Sequence, residues 1–254
     1  MRIAARWGPG PDEPTIEQDV RVVQLTLPFI IPLWMELVAV GLGGLQGAMF
    51  AGAFADRRID VLGVALVGVG VALGGSVLRD ALLGEPPVVI RGEWYVLAAI
   101  GAALVGMSLR PLLERLGVVI LVLDAVTIGL FGAIGTSKSL SLGLPGVPAV
   151  FVGVIAAVGG SILRDVMLGR PIALIHIGSL YAIAAAVGAV LLVVLVATGV
   201  AVVAAALAAT VATTAVRLLA VRYTWTFPVQ RALVTARRPT AAGAASDDDA
   251  VPSR

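Results

Sequence analysis

A short polar phrase occurs twice in this chain and contains the residues best suited to chemistry. It reads GGSVLRDALLGEP over Gly74–Pro86 and GGSILRDVMLGRP over Gly159–Pro171, so each copy carries an Arg-Asp pair shortly after a double glycine. An arginine or aspartate at the centre of a membrane costs about 2.5–3.5 kcal/mol on insertion scales unless it is paired or hydrated, and such residues are candidates for a functional site. The four charged candidates are Arg79, Asp80, Arg164 and Asp165.

The composition indicates an integral membrane protein. Of the 254 residues, 59% are hydrophobic and 13% are charged, and the mean hydropathy is +1.02, whereas soluble domains carry about 25% charged residues. The absence of cysteine excludes thiolate metal sites, and the single histidine, His176, argues against a histidine metal centre. The net charge of +2 does not suggest a nucleic-acid partner. Because no catalytic set or phosphate-binding loop is visible, we predict a protein that is not an enzyme and has no cofactor.

Seven apolar segments come close to the length of a helix that crosses a bilayer, which is about 20 residues. We predict an all-α integral membrane protein with seven transmembrane helices, over Phe29–Ala53, Val61–Leu83, Trp94–Leu109, Gly117–Gly135, Val147–Leu168, Ile172–Ala197 and Gly199–Leu219. An N-terminal tail over 1–28 and a disordered C-terminal tail over 223–254 are predicted at the two ends. Arginine is more frequent in the loops on the side of the C-terminus, which predicts that this terminus is cytoplasmic and the N-terminus lies outside.

The repeat extends beyond the quoted phrase. Its two copies lie 85 residues apart, and ELVAVGLGGLQG from Glu36 aligns with DAVTIGLFGAIG from Asp124 at an offset of 88 residues. Two units of three spans each, joined head to tail, must lie in the membrane with opposite orientations, and sites in such inverted repeats form near the midplane where the halves meet. We therefore predict a first repeat over 29–115, a second, inverted repeat over 116–197 and a seventh helix over 198–222.

The double glycines fall inside the second and fifth predicted spans. Glycine costs about 1 kcal/mol relative to alanine in a helix interior, so an adjacent pair indicates either a close helix–helix contact or a bend. The serine after each pair either satisfies a freed carbonyl or faces a hydrated path. The candidate hinge and pore-lining residues are Gly74, Gly75, Ser76, Gly159, Gly160 and Ser161.

The charged candidates leave alternatives open. Adjacent residues on a helix point about 100° apart, so the Arg and Asp of each pair are expected to contact a neighbouring helix, a carbonyl or water rather than each other. In one interpretation the arginine snorkels to the interface and the aspartate caps a helix. The other, favoured by the repetition, is a role in gating or pore lining. Glu36 and Asp124 are either first-turn carboxylates at the membrane surface or part of the same polar cluster, and Lys138 either snorkels or projects into a vestibule.

Taken together, these residues resemble the trimeric intracellular cation (TRIC) channel family, including its prokaryotic branch. The resemblance rests on the doubled G-G-x-x-x-R-D phrase, on the acidic residue at the head of spans one and four, and on the series Asp124, Phe131, Gly135 and Lys138. It implies a homotrimer in which each subunit has its own pore, lined by spans two and five, kinked at their glycines, together with spans one and four. It also implies that monovalent cations, chiefly K+, are the permeating species.

Three functions are compatible with these observations, and the least favoured is an enzyme or a non-transporting scaffold, since no catalytic set is visible. The first is a K+-permeable channel of the cell membrane, whose partners are membrane lipid, monovalent cations such as K+ or Na+, and further copies of the chain. The alternative is a secondary transporter of a small solute such as glycine. Inverted repeats with broken helices are found in transporters too, and similar prokaryotic membrane proteins include some that are proposed to transport glycine.

Overall fold

The structure is a computed structural model that describes residues 31–52, 59–113, 117–172, 174 and 180–225. All regular elements of these residues are α-helices, and five of them (α1, α2, α5, α6 and α8) are long and apolar enough to cross a membrane. The protein is therefore an all-helical, multi-pass membrane protein. In chain order the helices are α1 (Leu33–Gly52), α2 (Val61–Leu83), α3 (Val88–Arg91), α4 (Glu93–Leu113), α5 (Gly117–Ser141), α6 (Gly146–Met167), α7 (Tyr181–Ala197) and α8 (Val202–Arg222).

The second predicted span is confirmed at both ends, and its caps explain why. The side chain of Asp60 accepts a hydrogen bond from the amide of Gly63 at 2.7 Å, which satisfies one of the free amides at the start of α2. Gly84 ends the helix with a φ of 68°, a left-handed conformation that glycine adopts without strain. Both residues are recognisable in the sequence as a helix start and a helix stop.

The end of the fourth span is a correction. It was predicted at Gly135, but α5 continues to Ser141. The polar residues beyond Gly135 suggest a loop in the sequence. In the structure, however, the hydroxyls of Thr136 and Ser139 donate hydrogen bonds to the backbone carbonyls four residues earlier, at 2.8 Å. Such bonds satisfy the hydroxyls within the helix itself, so the polar sequence does not end it.

Further span boundaries also differ from the prediction. α4 runs on to Leu113, and α7 begins at Tyr181 rather than at Ile172, because Ile172 follows Pro171 in non-helical backbone. The last helix begins at Val202, after the chain turns through the left-handed φ of Gly199. The predicted N-terminal tail, the predicted C-terminal tail beyond residue 225, and His176 lie outside the described residues.

The helices pack as two similar groups with one addition. α1, α2 and α4 contact one another, as do α5, α6 and α7, and α8 packs against α5 and α7. The two groups meet where α2 crosses α6 and where α1 contacts α5. Most sequence-predicted site residues lie on these four central helices.

The crossing of α2 and α6 is closest at the double glycines. A Cβ on Gly75 would lie 2.2 Å from the carbonyl oxygen of Ala156, and a Cβ on Gly160 would lie 2.5 Å from that of Val71. These two contacts are reciprocal, because Ala156 and Gly160 follow Val71 and Gly75 by the 85 residues of the repeat. Of the two interpretations of the glycine pairs, close contact is therefore the observed one.

The two helices run antiparallel and unbroken through this crossing. A Cβ on Gly70 would meet Met167, whereas a Cβ on Gly159 would meet Leu78, so successive residues of α2 face earlier residues of α6. Both helices continue past their glycines without a break in helical assignment. The role of the glycines as hinges stays a prediction.

Replacing either Gly75 or Gly160 with alanine is expected to lower the thermal stability of the purified protein by a similar amount. The added methyl group has no space against a backbone carbonyl, and overpacking of this kind costs about 1–3 kcal/mol. Gly101→Ala in α4 is the matched control, since nothing lies within 4 Å of the added Cβ. Thermal unfolding in detergent is the measurement. Three variants of equal stability would contradict the close crossing.

Candidate functional site

The carboxylate of Asp80 is the centre of the first polar cluster. It is 0% exposed, and it accepts hydrogen bonds from Arg79 Nε at 2.8 Å, Lys138 Nζ at 2.6 Å and the amide of Val88 at 2.9 Å. The left-handed turn at Gly84 brings Val88 back to this carboxylate. Asp80 thus caps α3, as one interpretation of the sequence proposed, and it links the ends of α2, α3 and α5.

Each Arg-Asp pair bonds within itself, which corrects the expectation that the two residues contact other groups rather than each other, although Asp80 also reaches Lys138 on a neighbouring helix as expected. Arg79 Nε lies 2.8 Å from Asp80, and Arg164 Nε lies 3.0 Å from Asp165. Both guanidiniums are 2% exposed, which also excludes snorkelling, and Lys138 likewise turns inward to its ion pair with Asp80. A buried guanidinium needs a charged acceptor, and the adjacent carboxylate supplies one when the long arginine side chain folds back.

A second buried carboxylate, Asp124, is the centre of a separate cluster. The amide of Gln46 donates to one carboxylate oxygen, and the hydroxyl of Tyr181 donates to the other at 2.5 Å. Arg217 of α8 lies 3.8 Å from that second oxygen, and its Cζ lies 3.8 Å from the centre of the Tyr181 ring. Asp124 lies about two turns into α5, so its interpretation as a first-turn carboxylate at the surface is wrong.

Glu36 has a simpler environment. It lies in the first turn of α1, is partly buried, and accepts a hydrogen bond from the hydroxyl of Tyr95 in α4. Tyr95 and Tyr181 therefore hold the acidic residues of the two halves in the same way. The sequence analysis does not identify these tyrosines, although a signal exists: GEWYVLAA from Gly92 aligns with GSLYAIAA from Gly178 at an offset of 86 residues.

Phe50 covers the second Arg-Asp pair. Its ring centre lies 3.9 Å from Cζ of Arg164 and 5.4 Å from Cζ of Arg170. The equivalent position in the other half is Lys138, 88 residues later. Each half therefore extends one side chain, from the end of its first helix, to the Arg-Asp pair of the other half. The side chain from the first half is the aromatic ring of Phe50, and the one from the second half is the ammonium group of Lys138.

Three of these contacts have no signal in the sequence. Phe50 reads as an interfacial aromatic residue, Gln46 as an isolated polar residue, and Arg217 only as a contribution to the charge bias between loops. Their roles depend on which helices are neighbours, and a single sequence does not indicate that.

A small cleft, with room for about one water molecule, lies beside the first cluster. It is lined by the polar side chains of Glu36, Ser76, Arg79 and Tyr95 and by apolar side chains, among them Phe131 and Ile134. Nη2 of Arg79 is buried and has no hydrogen-bond partner among the described residues. Among those residues, no group of three or more acidic or histidine side chains is placed to hold a metal ion. Glu36 and Arg79, which carry opposite charges, therefore lie on the same small cleft.

The hydroxyls of Ser76 and Ser161 form hydrogen bonds within their own helices. The hydroxyl of Ser76 donates to the carbonyl of Leu73 at 2.8 Å, and that of Ser161 donates to the carbonyl of Val158 at 2.8 Å. Ser76 also lines the cleft. The structure thus brings Lys138 of the second half to Glu36, Ser76, Arg79 and Asp80 of the first half, and it places Asp124 in a separate cluster.

The sequence matches one protein family twice. Two parts of the chain match the family described as Glycine transporter. The first is residues 33–111, which cover α1 to most of α4. The second is residues 121–197, which cover most of α5 to α7. A UPF0126 membrane protein of Deinococcus radiodurans is 32% identical over 158 residues, which are 61% of this chain and 72% of that protein. The UPF0126 inner membrane protein YadS of Escherichia coli K12 is 33% identical over 160 residues, which are 62% of this chain and 75% of that protein.

Solved structures share the fold. The TRIC trimeric intracellular cation channel orthologue from Rhodobacter sphaeroides superposes with a TM-score of 0.69 at 28% identity, over 76% of this chain and 97% of that one. A second TRIC cation channel structure superposes with a TM-score of 0.68 at 26% identity, over 78% of this chain and 97% of that one. The chain therefore shares the fold of these channels over about three quarters of its length.

Replacing Asp80 with asparagine is expected to lower the free energy of unfolding by about 3–5 kcal/mol, because it leaves the buried charges of Arg79 and Lys138 without their common partner. Adding Lys138→Met is expected to recover part of this loss, which a double-mutant cycle measures. The control is Glu85→Gln in the pair with Arg91, whose side chains are 32% and 40% exposed. That change is expected to cost less than about 1 kcal/mol. Equal losses at both sites would contradict the central role of Asp80.

Proposed function

The chain belongs to the family described as Glycine transporter, which groups with the TRIC-like membrane proteins, and we propose that it is a passive channel for monovalent cations, chiefly K+. The observation that supports this most is the fold it shares with a TRIC cation channel over nearly the whole length of that channel, at 28% identity. Each subunit would contain one conducting path.

We also propose the predicted membrane arrangement of seven spans. In it, 29–115 and 116–197 form two inverted repeats, and the added span over 198–222 contains α8. The reciprocal contacts Gly75–Ala156 and Gly160–Val71 support this, because an antiparallel pair of equivalent helices is related by a two-fold axis perpendicular to both helices. For helices that cross a bilayer, such an axis lies in the membrane plane. The double match to one family supports the same division.

The conducting path in this proposal runs between α1, α2, α5 and α6. Asp124 and Lys138 are 14 residues apart on α5, which corresponds to about 21 Å along a helix, so the two polar clusters lie at well-separated depths. Asp80 and Asp165 neutralise the arginines beside them. Paired in this way, the guanidiniums would not repel a permeating cation as free ones would.

A secondary transporter of a small solute such as glycine is the second candidate. The family description names glycine, and Glu36 and Arg79, which carry opposite charges, line the same small cleft. A carrier and a channel can share an inverted-repeat fold, so the distinction must come from transport measurements.

Self-association and orientation complete the proposal. We propose a homotrimer surrounded by membrane lipid, supported by the likeness to a channel described as trimeric. We place the protein in the cell membrane, supported by the likeness to an inner membrane protein, with the C-terminus cytoplasmic and the N-terminus outside.

Purified protein in planar bilayers under asymmetric KCl is expected to give unitary currents whose reversal potential has the sign of cation selectivity. A passive path conducts without a driving solute, whereas a carrier does not produce unitary currents. Saturable glycine uptake driven by a proton or sodium gradient, in the absence of unitary currents, would establish the carrier and refute the channel. Empty bilayers and heat-inactivated protein are the controls.

The absence of native cysteine makes the orientation testable with single introduced thiols. We expect Ser253→Cys to react with a membrane-impermeant maleimide only after right-side-out vesicles are permeabilised, and Ala4→Cys to react before permeabilisation. The wild-type chain, which has no thiol, is the control for background labelling. The reverse pattern would overturn the proposed orientation.

A further inference from the structure

The antiparallel crossing of α2 and α6 gives the helix bundle two ends that can be compared. Asp80 lies near the C-terminus of α2 and Arg164 near the C-terminus of α6, so these residues lie at opposite ends. Lys138, near the C-terminus of α5, pairs with Asp80. The start of α5, where Asp124 contacts Arg217 of α8, therefore lies toward Arg164. We call the end with Asp80 the first end and the end with Arg164 the second end.

Equivalent residues that follow α2 and α6 carry opposite charges. Glu85 follows Gly84 at the first end, and Arg170 follows Gly169 at the second end, 85 residues later. The two glycines are both left-handed, with φ of 68° and 59°. The amides of Glu85 and Arg170 donate to the carbonyls five residues earlier at 2.9 and 2.8 Å. The two turns therefore have the same backbone, and they place an acidic residue at one end and a basic residue at the other.

The charged side chains that the structure describes sum to opposite signs at the two ends. Glu36, Arg79 and Tyr95 line one cleft, so the starts of α1 and α4 lie at the first end. The first end carries four acidic and three basic residues, which are Glu36, Asp80, Glu85, Glu93, Arg79, Arg91 and Lys138. The second end carries three acidic and four basic residues, which are Asp60, Asp124, Asp165, Arg164, Arg170, Arg217 and Arg222. The net charge of these side chains is therefore −1 at the first end and +1 at the second.

The charges in excess lie on exposed side chains. At the first end Arg91 pairs with Glu85, and the exposed Glu93 in the first turn of α4 adds a further negative charge. At the second end Arg170 is exposed, and its Cζ lies 5.4 Å from the centre of the Phe50 ring, which also covers the second Arg-Asp pair. Both charges are thus in reach of water close to the polar clusters.

Fixed charge at the opening of a conducting path changes the local concentration of the permeating ion. Negative charge concentrates cations there and positive charge depletes them. The effect extends over the Debye length, which is about 10 Å at 0.1 M salt and about 3 Å at 1 M. A path whose two openings carry opposite charge therefore takes up cations more readily at the negative one.

We propose that the protein conducts cations asymmetrically, so that the cation current from the first end to the second exceeds the current in the reverse direction at an equal and opposite voltage. This inference rests on the proposed cation channel and on its path between α1, α2, α5 and α6. In the proposed orientation the second end is cytoplasmic, because α8 ends there. The favoured cation current is then directed into the cell.

Single-channel recording of the purified full-length protein in planar bilayers with identical KCl solutions on both sides tests the asymmetry. At about 0.1 M KCl the currents at equal and opposite voltages are expected to differ by about 1.5-fold or more. At about 1 M KCl the ratio is expected to fall toward one, because the fixed charges are screened. A linear relation between current and voltage at the lower concentration would overturn the proposal.

Replacing Arg170 with glutamate gives the second end the residue that the first end has at the equivalent position. The change shifts the net charge of the described side chains there from +1 to −1, so the current ratio at low salt is expected to fall toward one. Arg170→Lys, which keeps the charge, is the matched control and is expected to retain the ratio. Thermal unfolding and size-exclusion profiles show that both variants are folded. An unchanged ratio in Arg170→Glu would refute the role of this charge.

The direction of the asymmetry can be assigned with a single introduced thiol, because the chain has no cysteine. Glu93→Cys removes one negative charge from the first end and is expected to lower the ratio. A membrane-impermeant sulfonatoethyl methanethiosulfonate forms a mixed disulfide with this thiol, releases methanesulfinate and returns a negative charge. The ratio is expected to recover only when the reagent is in the compartment that faces the first end, and the larger cation current is expected to flow from that compartment. A larger current from the opposite compartment would overturn the proposal.

The outcome is separable from that of the proposed function. Linear unitary currents at low salt would refute the asymmetry alone and leave the channel. The absence of unitary currents would refute the channel, and the asymmetry with it.

Discussion

The close antiparallel crossing of α2 and α6 is the constraint on which the rest of the structure depends. At Gly75 a single methyl group would lie 2.2 Å from the carbonyl oxygen of Ala156, so only glycine permits this approach. Because the helices meet here, the Arg-Asp pair of each half lies close to side chains of the other half. Lys138 then contacts Asp80, and Phe50 contacts Arg164. Both polar clusters are consequences of that proximity.

Burial of charge in an apolar protein is tolerated here because the buried charges have partners of opposite sign. Asp80 holds both Arg79 and Lys138, and Asp124 holds Arg217 in the other half. Isolated charges of this kind would be expensive to insert into a membrane. These ion pairs hold the arginines inside the helix bundle, where both side chains are 2% exposed.

The two halves share the same helix arrangement and differ in the partners of their buried carboxylates. The equivalent residues Tyr95 and Tyr181 donate hydrogen bonds to the equivalent carboxylates of Glu36 and Asp124. Only Asp124 has further partners, which are Gln46 and Arg217 of α8. In the second half, the hydrogen bond from Gln46 and the ion pair with Arg217 thus satisfy Asp124 within the protein. α8 therefore has a physical role beyond that of an extra span, because it supplies a buried counter-charge.

The sequence by itself determined the membrane class and the complete extent of α2, and it marked the double glycines of α2 and α6 as either a close contact or a bend. These properties are local: apolar length, capping residues such as Asp60 and Gly84, and adjacent small residues act within a few positions of the chain. Only the tertiary structure decided the partners of the charges. Lys138 and Asp80 are 58 residues apart, and Gln46 and Asp124 are 78 apart, so these contacts depend on which helices become neighbours. Helix packing, and not spacing along the chain, selects those neighbours.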